Sequence, residues 1–435
     1  MTKGIVMLKM SIVMMATVGA FASSPKINLN RIVVKMKDGH SLPKNSLVKS
    51  SKLLFENMYI VNTVDAKKLA QDLKSNNKIA KIQFDYFSGR KSLPSAEGTE
   101  TLEKNLEKNS DGFNDPGMRR LWGFKTADKN GMDISNAYKN FGSASGDPII
   151  VAVVDTGVDY NHEDLKDVMW VNKGEIANNG IDDDGNGYID DIHGINTLVR
   201  DEQGRATGDM MDKHSHGTHV SGTIGATQNN GTGIAGVASN VRIMGIRSVP
   251  NSGDETDIDV AESFIYAAKH GAKVINCSFG KKHNEGGMIV KEAIDHIGEK
   301  YGVLVVAAAG NESSNNDRSK KYPASFESEN LLVVASTTKW GRLSGFSNYG
   351  QTTVDVAAPG SSIYSTTPRN RYSNMSGTSM ASPNTAGLAA EILARNPELS
   401  PIQLKNIIMD SVTKGRRYTS KTVSGGLINL NSALE

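Results

Sequence analysis

The hydrophobic rhythm of the chain changes near residue 148. Downstream, short apolar runs recur at Ile149–Val154, Val241–Ile246, Lys273–Cys277, Val303–Ala309 and Leu331–Ala335. Helical segments such as Ile258–Lys269 and Glu292–Glu299 alternate with them. A strand that is apolar on both faces must be covered on both faces. Alternation with helices therefore predicts an α/β fold with a doubly wound, mostly parallel sheet. In such sheets the reacting groups gather beyond the carboxyl ends of the strands. Asp155 closes the first run and Gly310-Asn311 follows the fourth.

Upstream the pattern is that of a smaller α+β unit. Arg31–Met36 and Met58–Val61 read as strands, and Lys78–Phe87 as a further one. Between them Asp65–Asn76 reads as a helix with Ala66, Leu69 and Leu73 on one face. Residues 92–115 are rich in Glu, Lys, Ser and Asn and lack periodic apolar positions. They predict an exposed linker open to proteolytic processing. The chain thus divides into 1–22, 23–90, 91–115 and 116–435.

The first of these segments reads as an export signal. Lys3 and Lys9 precede or flank an apolar stretch, Met10–Ala20, that is too short to span a bilayer. Ala20-Phe21-Ala22 fits the small-x-small rule and predicts cleavage after Ala22, giving a secreted or periplasmic protein. An uncleaved membrane anchor is the alternative. No later segment is apolar for long enough to cross a membrane. The single cysteine, Cys277, excludes an intramolecular disulfide, so stability must come from the core, a bound metal or a kinetic barrier. Net charge is +2 and no basic run carries interleaved aromatics, so nucleic acid is not an expected partner.

Four short blocks carry the chemistry. They are Val153-Val154-Asp155-Thr156-Gly157, His214-Ser215-His216-Gly217-Thr218-His219-Val220, Ala308-Ala309-Gly310-Asn311-Glu312 and Gly377-Thr378-Ser379-Met380-Ala381-Ser382-Pro383. Together they supply an acid, an imidazole and a hydroxyl, the equipment of a nucleophilic hydrolase. The last block stands at the head of a predicted helix, with Pro383 expected in its first turn. Each residue also has a plainer reading. Ser379 could cap a helix, and Asp155 and Asn311 could close turns. His214, His216 and His219 have spacings seen in metal ligands, but without the glutamate of a zinc protease.

In sequence order and in their flanking residues, the four blocks resemble the subtilisin-like serine protease family from about Leu121 to Leu434. The order Asp, His, Ser is the one known for subtilisin. The resemblance implies Ser379 as nucleophile, His216 as general base, Asp155 as its orienting acid and Asn311 as oxyanion donor. It implies a first specificity pocket lined by Ser278, Phe279, Gly280, Ala308, Ala309 and Gly310, with Lys321 near the floor. A lysine there could pair with an acidic substrate residue, or reach water and leave an apolar, broad pocket. The unit at 23–90 would be a ferredoxin-like propeptide that helps folding and then inhibits, or else a permanent accessory domain. The implied product is a self-processing zymogen, monomeric, that cleaves proteins and peptides. The sequence departs from the family at Asn384, where a histidine is usual, which puts local helix packing in question. Two rivals are a non-catalytic scaffold on the same fold and an α/β-hydrolase esterase. The esterase elbow needs a glycine where Ala381 stands.

One further segment bears on metals. Asp182-Asp183-Asp184-Gly185-Asn186-Gly187-Tyr188-Ile189-Asp190-Asp191 alternates oxygen donors around a glycine. This predicts a structural calcium held by Asp182, Asp184, Asn186, Asp190 and Asp191. The glutamate that would close an EF-hand loop is absent, and a solvated acidic turn is the alternative.

Overall fold

The computed structural model describes residues 26–87, 93–104, 107–282 and 288–435, so the expected export signal lies outside the described residues. The strands of the smaller unit are β1 (Lys26–Met36), β2 (Val48–Phe55), β3 (Met58–Thr63) and β4 (Ile79–Phe87). Its helix is α1 (Ala66–Leu73). The strands form an antiparallel sheet in the order β2-β3-β1-β4. Strand β1 is buried on both faces. Ile32, Val34 and Met36 pack with Ala66, Leu69 and Leu73 of α1. Val33 faces the other way and joins Leu54, Phe55, Met58 and Ile60 in the core of the larger unit. Strand β2 escaped the sequence reading because its first half, Val48–Lys52, is largely polar and half exposed.

The larger unit begins with α2 (Ile134–Phe141), β5 (Ile149–Asp155), β6 (Gly194–Arg200), β7 (Ala206–Thr207) and α3 (His216–Gly225). It continues with β8 (Val241–Arg247), α4 (Asp257–Lys269), β9 (Val274–Cys277), α5 (Ile289–Tyr301) and β10 (Leu304–Ala308). Then come β11 (Leu331–Thr337), β12 (Val356–Pro359), β13 (Ile363–Thr367), β14 (Arg371–Met375) and α6 (Thr378–Arg395). The last elements are α7 (Pro401–Asp410), β15 (Thr413–Lys414), β16 (Gly426–Leu427) and α8 (Leu430–Leu434).

Ten strands form one sheet in the order β15-β16-β12-β11-β10-β9-β5-β8-β6-β7. All pairs from β16 to β6 are parallel, and the edges are antiparallel. The expected doubly wound α/β sheet is therefore present. Alternate residues of its strands feed two cores. Val151, Val153, Leu304, Val306, Leu332 and Val334 face α3 and α6. Ala152, Val154, Val305, Ala307, Val333 and Ala335 face α4 and α5. Each strand needs apolar side chains on both faces, which is why its sequence is an unbroken run. The order reverses between β9 and β5, so the C-terminal ends of these strands flank the crevice where such folds bind ligands.

The smaller unit seats its sheet on α4 and α5 through buried charges. Arg31 donates to Asp85 of its own unit at 2.6 and 2.8 Å and to Asp259 of α4 at 2.8 Å. Arg200 of β6 donates to the same Asp259 at 2.6 Å and to Glu262 at 2.7 Å. Lys52 reaches Glu262 at 3.1 Å while lying over the Tyr188 ring. Burial alone would raise the pKa of Asp259 and Glu262, but the cations outweigh it and hold both down to about 2. Gln83 accepts from the backbone N–H groups of Met288 and Ile289 and so satisfies orphan donors at the start of α5.

Residues 93–104 are not a free linker. Glu100 and Tyr372 exchange backbone hydrogen bonds at 3.0 and 2.9 Å, and Glu97 N donates to Asn374 O at 3.1 Å. The segment runs antiparallel to β14. Most of these residues are exposed as their composition predicts; the pairing with β14 left no mark in the sequence because backbone pairing requires no apolar side chains.

Removing one cation of the buried cluster should be costly. Arg31→Ala leaves Asp85 and Asp259 with fewer counter-charges, and we expect about 3–5 kcal/mol of destabilisation. Denaturant unfolding of the whole chain, followed by circular dichroism, checks this. A loss below about 1 kcal/mol would show that the cluster is replaceable by water.

Candidate active site

The site is assembled at the carboxyl rim of the sheet. Asp155 ends β5 and is 1% exposed. Its Oδ1 accepts from Thr156 N and from His216 Nδ1, both at 2.7 Å. His216 is the first residue of α3 and fully buried. The preceding Ser215 has φ +92°, a strained conformation for a serine. Gly217 lets the helix close on β5, since a Cβ there would lie 2.0 Å from Gly157 O. The second imidazole nitrogen, Nε2, has no hydrogen-bond partner among the described residues.

A residue not singled out from the sequence holds this corner. Asp212 is buried, and its carboxylate accepts from the backbone N–H groups of His214, Ser215 and Thr218. It also accepts from the hydroxyls of Thr156 at 3.0 Å and Thr218 at 2.6 Å. It thus caps α3 and ties it to the end of β5. The signal was its position four residues before His216, at the start of the coming helix.

Ser379 is the second residue of α6 and 4% exposed. Its Oγ donates to Ser278 O at 2.8 Å, and Ser278 Oγ donates back to Ser379 O at 2.8 Å. The second bond has a local cause. Pro383 lies beyond the first turn of α6, contrary to expectation, and has no N–H for the carbonyl four residues earlier. That carbonyl belongs to Ser379, and Ser278 takes the missing donor's place. Asn311 Oδ1 accepts from Thr378 N at 2.8 Å and Thr378 Oγ1 at 2.9 Å. Its Nδ2 is left facing the same rim, 3.5 Å from where a Cβ on Gly377 would stand. Asn384 donates to Pro359 O and Met380 O, so it is satisfied inside the helix packing.

The expected pocket residues follow β9 and β10. Phe279, Ala308 and Ala309 are buried, and a Cβ on Gly280 would meet Tyr322 O at 2.8 Å. Lys321 does lie beside Gly280, with its Cε 3.5 Å from that Cβ position. Its ammonium is engaged by Glu312 at 2.6 Å. Burial opposes ionisation of Glu312, but Lys321 and Asn348 outweigh it and hold its pKa below the ordinary value. Cys277 is fully buried, and burial pushes its thiol well up, so it is an inert core residue.

His219 serves structure. Its Nε2 faces Ile363 O at 2.9 Å and Ser373 O at 3.2 Å, pinning the hairpin β13-β14 to α3. Burial pushes its pKa down to about 3.

The acidic loop brings Glu175, Asp184 and Asp191 together, with one carboxylate oxygen of each within 4.8 Å of the others. Glu175 was not among the residues predicted from sequence. It lies seven positions before Asp182, outside the acidic run. Asn172 and Asn186 donate amide hydrogens to Asp184 and Asp191. Asp182 accepts from Gly187 N, Asp190 from Asn179 N and Gly180 N, and Glu175 from Asp183, Asp184 and Asp190 N, but only Glu175 of the three also lies with Asp184 and Asp191.

A buried carboxylate–imidazole pair and a helix-borne serine on a doubly wound sheet define a nucleophilic hydrolase scaffold. The profile of the subtilase family matches residues 146–426, and the chain belongs to that family. It is 33% identical over 361 residues to Subtilisin-like protease 1 of Plasmodium berghei (strain Anka), covering 77% of this chain and 58% of that one. It is 43% identical over 240 residues to the Thermophilic serine proteinase of Bacillus sp. (strain AK1), covering 55% and 51%. The chain thus spans little more than half the length of either relative. A solved protease of Pseudoalteromonas arctica PAMC 21717 superposes with TM-score 0.60 and 26% identity, covering 74% of this chain and 98% of that one.

Stability should fall with acid through His219. The unfolded chain takes up its proton as pH falls through about 6.5, whereas the folded chain waits until about 3. Stability conferred by neutral His219 is therefore complete above about 6.5 and is lost progressively towards 3. His219→Gln should flatten the slope of unfolding free energy against pH by about 1 kcal/mol per pH unit in that window. Equal slopes would remove His219 from the acid response.

Proposed function

We propose that the chain is an exported serine endopeptidase, made as a zymogen whose N-terminal unit inhibits it. The observation that carries the reading is the Asp155–His216 hydrogen bond sharing one rim with Ser379 and Asn311. The Ser379 hydroxyl rotates from Ser278 O towards His216 Nε2, which has no competing partner. Nε2 takes the proton as Oγ attacks the peptide carbonyl carbon. Asp155 stabilises the resulting imidazolium and keeps its tautomer. Asn311 Nδ2 and the Ser379 N–H bind the developing oxyanion, helped by the N-terminal dipole of α6. His216 then protonates the leaving amine, and the acyl-enzyme is hydrolysed by the same steps in reverse roles. The pocket is expected to be apolar and broad, because Glu312 already neutralises Lys321.

The donor set of the acidic loop fits a calcium ion. All groups are oxygen donors, and three carboxylates crowd together that would otherwise repel. Glu175, Asp184 and Asp191 would hold it, and the ion would supply structural rigidity to the loop between β5 and β6.

Ser379→Ala should abolish proteolysis, with a loss on the order of 10⁶-fold, and leave the precursor uncut. Labelling by a fluorophosphonate and electrophoresis of the expressed chain check both, and normal maturation of the alanine variant would refute self-processing. Asn311→Ala should keep substrate binding and lower kcat about 10²–10³-fold, the cost known for the equivalent donor of subtilisin. A raised KM with unchanged kcat would contradict the oxyanion role. Calcium at a hundredfold excess over Kd should add about 2.7 kcal/mol of stability, lost on chelation. Glu175→Gln should remove the calcium response of Tm, and an unaltered response would place the ion elsewhere.

A further inference from the structure

The segment Leu93–Glu100 crosses the candidate site and leaves it along β14. Leu93 is 8% exposed and belongs to the core that covers the α4 and α5 face of the sheet. The Pro94 ring stands 3.1 Å from the Cβ position of Gly377, two residues before Ser379. Beyond Pro94 the segment moves away from Ser379. It pairs with β14 at Asn374 and Tyr372.

The far end of this segment is read by side chains. Both oxygens of the Glu100 carboxylate are engaged by the Arg120 guanidinium, in fork geometry. The Tyr364 hydroxyl donates to Glu100 at 2.9 Å. Arg120 lies over the Tyr364 ring, 4.8 Å from its centroid, which fixes the guanidinium in place. Arg371 donates to Thr99 Oγ1 at 2.8 Å. Backbone pairing supplies affinity without sequence preference, and the arginine fork adds a requirement for a carboxylate.

We propose that the outer edge of β14, the one not paired with β13, forms with Arg120 and Tyr364 a binding site for an extended acidic peptide on the leaving-group side of the cleft. The chain's own Leu93–Glu100 fills it in the precursor. After processing, an acidic stretch of substrate takes the same edge. This rests on the protease reading of the rim.

The test uses internally quenched peptides in which one Glu or Gln is walked along the leaving-group side. With the matured wild-type enzyme, Glu at one position should raise kcat/KM about threefold to fivefold over Gln, the range of an exposed but well-formed ion pair. Arg120→Gln should abolish that preference. A preference that emerges only in Glu100→Gln enzyme would show that the chain's own segment stays seated after processing and is the resident ligand. No preference in either enzyme would overturn the site. Failure to cleave any peptide would instead strike the protease reading. A second readout needs no turnover. In uncut Ser379→Ala chain, hydrogen exchange at the amides of Glu97, Glu100 and Tyr372 should quicken at least threefold on adding Glu100→Gln. Unchanged exchange would overturn the carboxylate anchor.

Discussion

A proline inside a helix leaves one carbonyl without its donor, and here that deficit organises the site. Pro383 cannot serve the carbonyl of Ser379, which is buried and must be satisfied. Ser278 supplies the hydrogen from the end of β9, and Asn276 in turn donates to Ser278 Oγ. The start of α6 is thereby bolted to the strand whose continuation forms a wall of the pocket. A helix start that carried its full set of internal bonds would have no such claim on β9. Ser379 and the end of β9 are thus positioned by one bond pair, and Asn311 is added to it through Thr378.

The second constraint is electrostatic and lies between the two units. Asp259 and Glu262 sit on α4, buried, and share Arg200 from their own unit with Arg31 and Lys52 from the smaller one. Without the smaller unit, two carboxylates would face one guanidinium. The interface therefore replaces water as the source of compensating charge, which favours the docked state while the carboxylates are ionised. Apolar burial by Val33, Leu54, Phe55, Met58 and Ile60 holds the same surface, so the charges set orientation more than raw affinity.

What could be read from sequence follows from which interactions leave a pattern. The parallel strands β5, β8, β9, β10 and β11 were legible because burial on both faces demands continuous apolar residues. The short β12 and the hairpin β13-β14 were missed. Strand β12 is only four residues long, Val356-Ala357-Ala358-Pro359, and the hairpin mixes apolar residues with buried hydroxyls, Ser365 and Thr366 donating to the carbonyls of His219 and Thr218 in α3. The rim residues Asp155, His216, Asn311 and Ser379 were legible because each stands in a local block at a strand or helix end. Asp212 and Glu175 were not: Asp212 accepts backbone N–H groups that only folding brings near, and Glu175 stands outside the acidic run and meets Asp184 and Asp191 only in the folded loop.

The same reasoning explains why residues 93–104 looked like a solvated linker. An added strand is held by its amides and carbonyls, and these are identical in every sequence. Its side chains can therefore be polar, provided a few find partners, as Glu100 and Thr99 do. A polar strand with one charged anchor is held by many weak bonds whose loss is repaid by water. The edge of β14 is thus covered by a strand that is held chiefly by its backbone and by the Glu100 and Thr99 side chains.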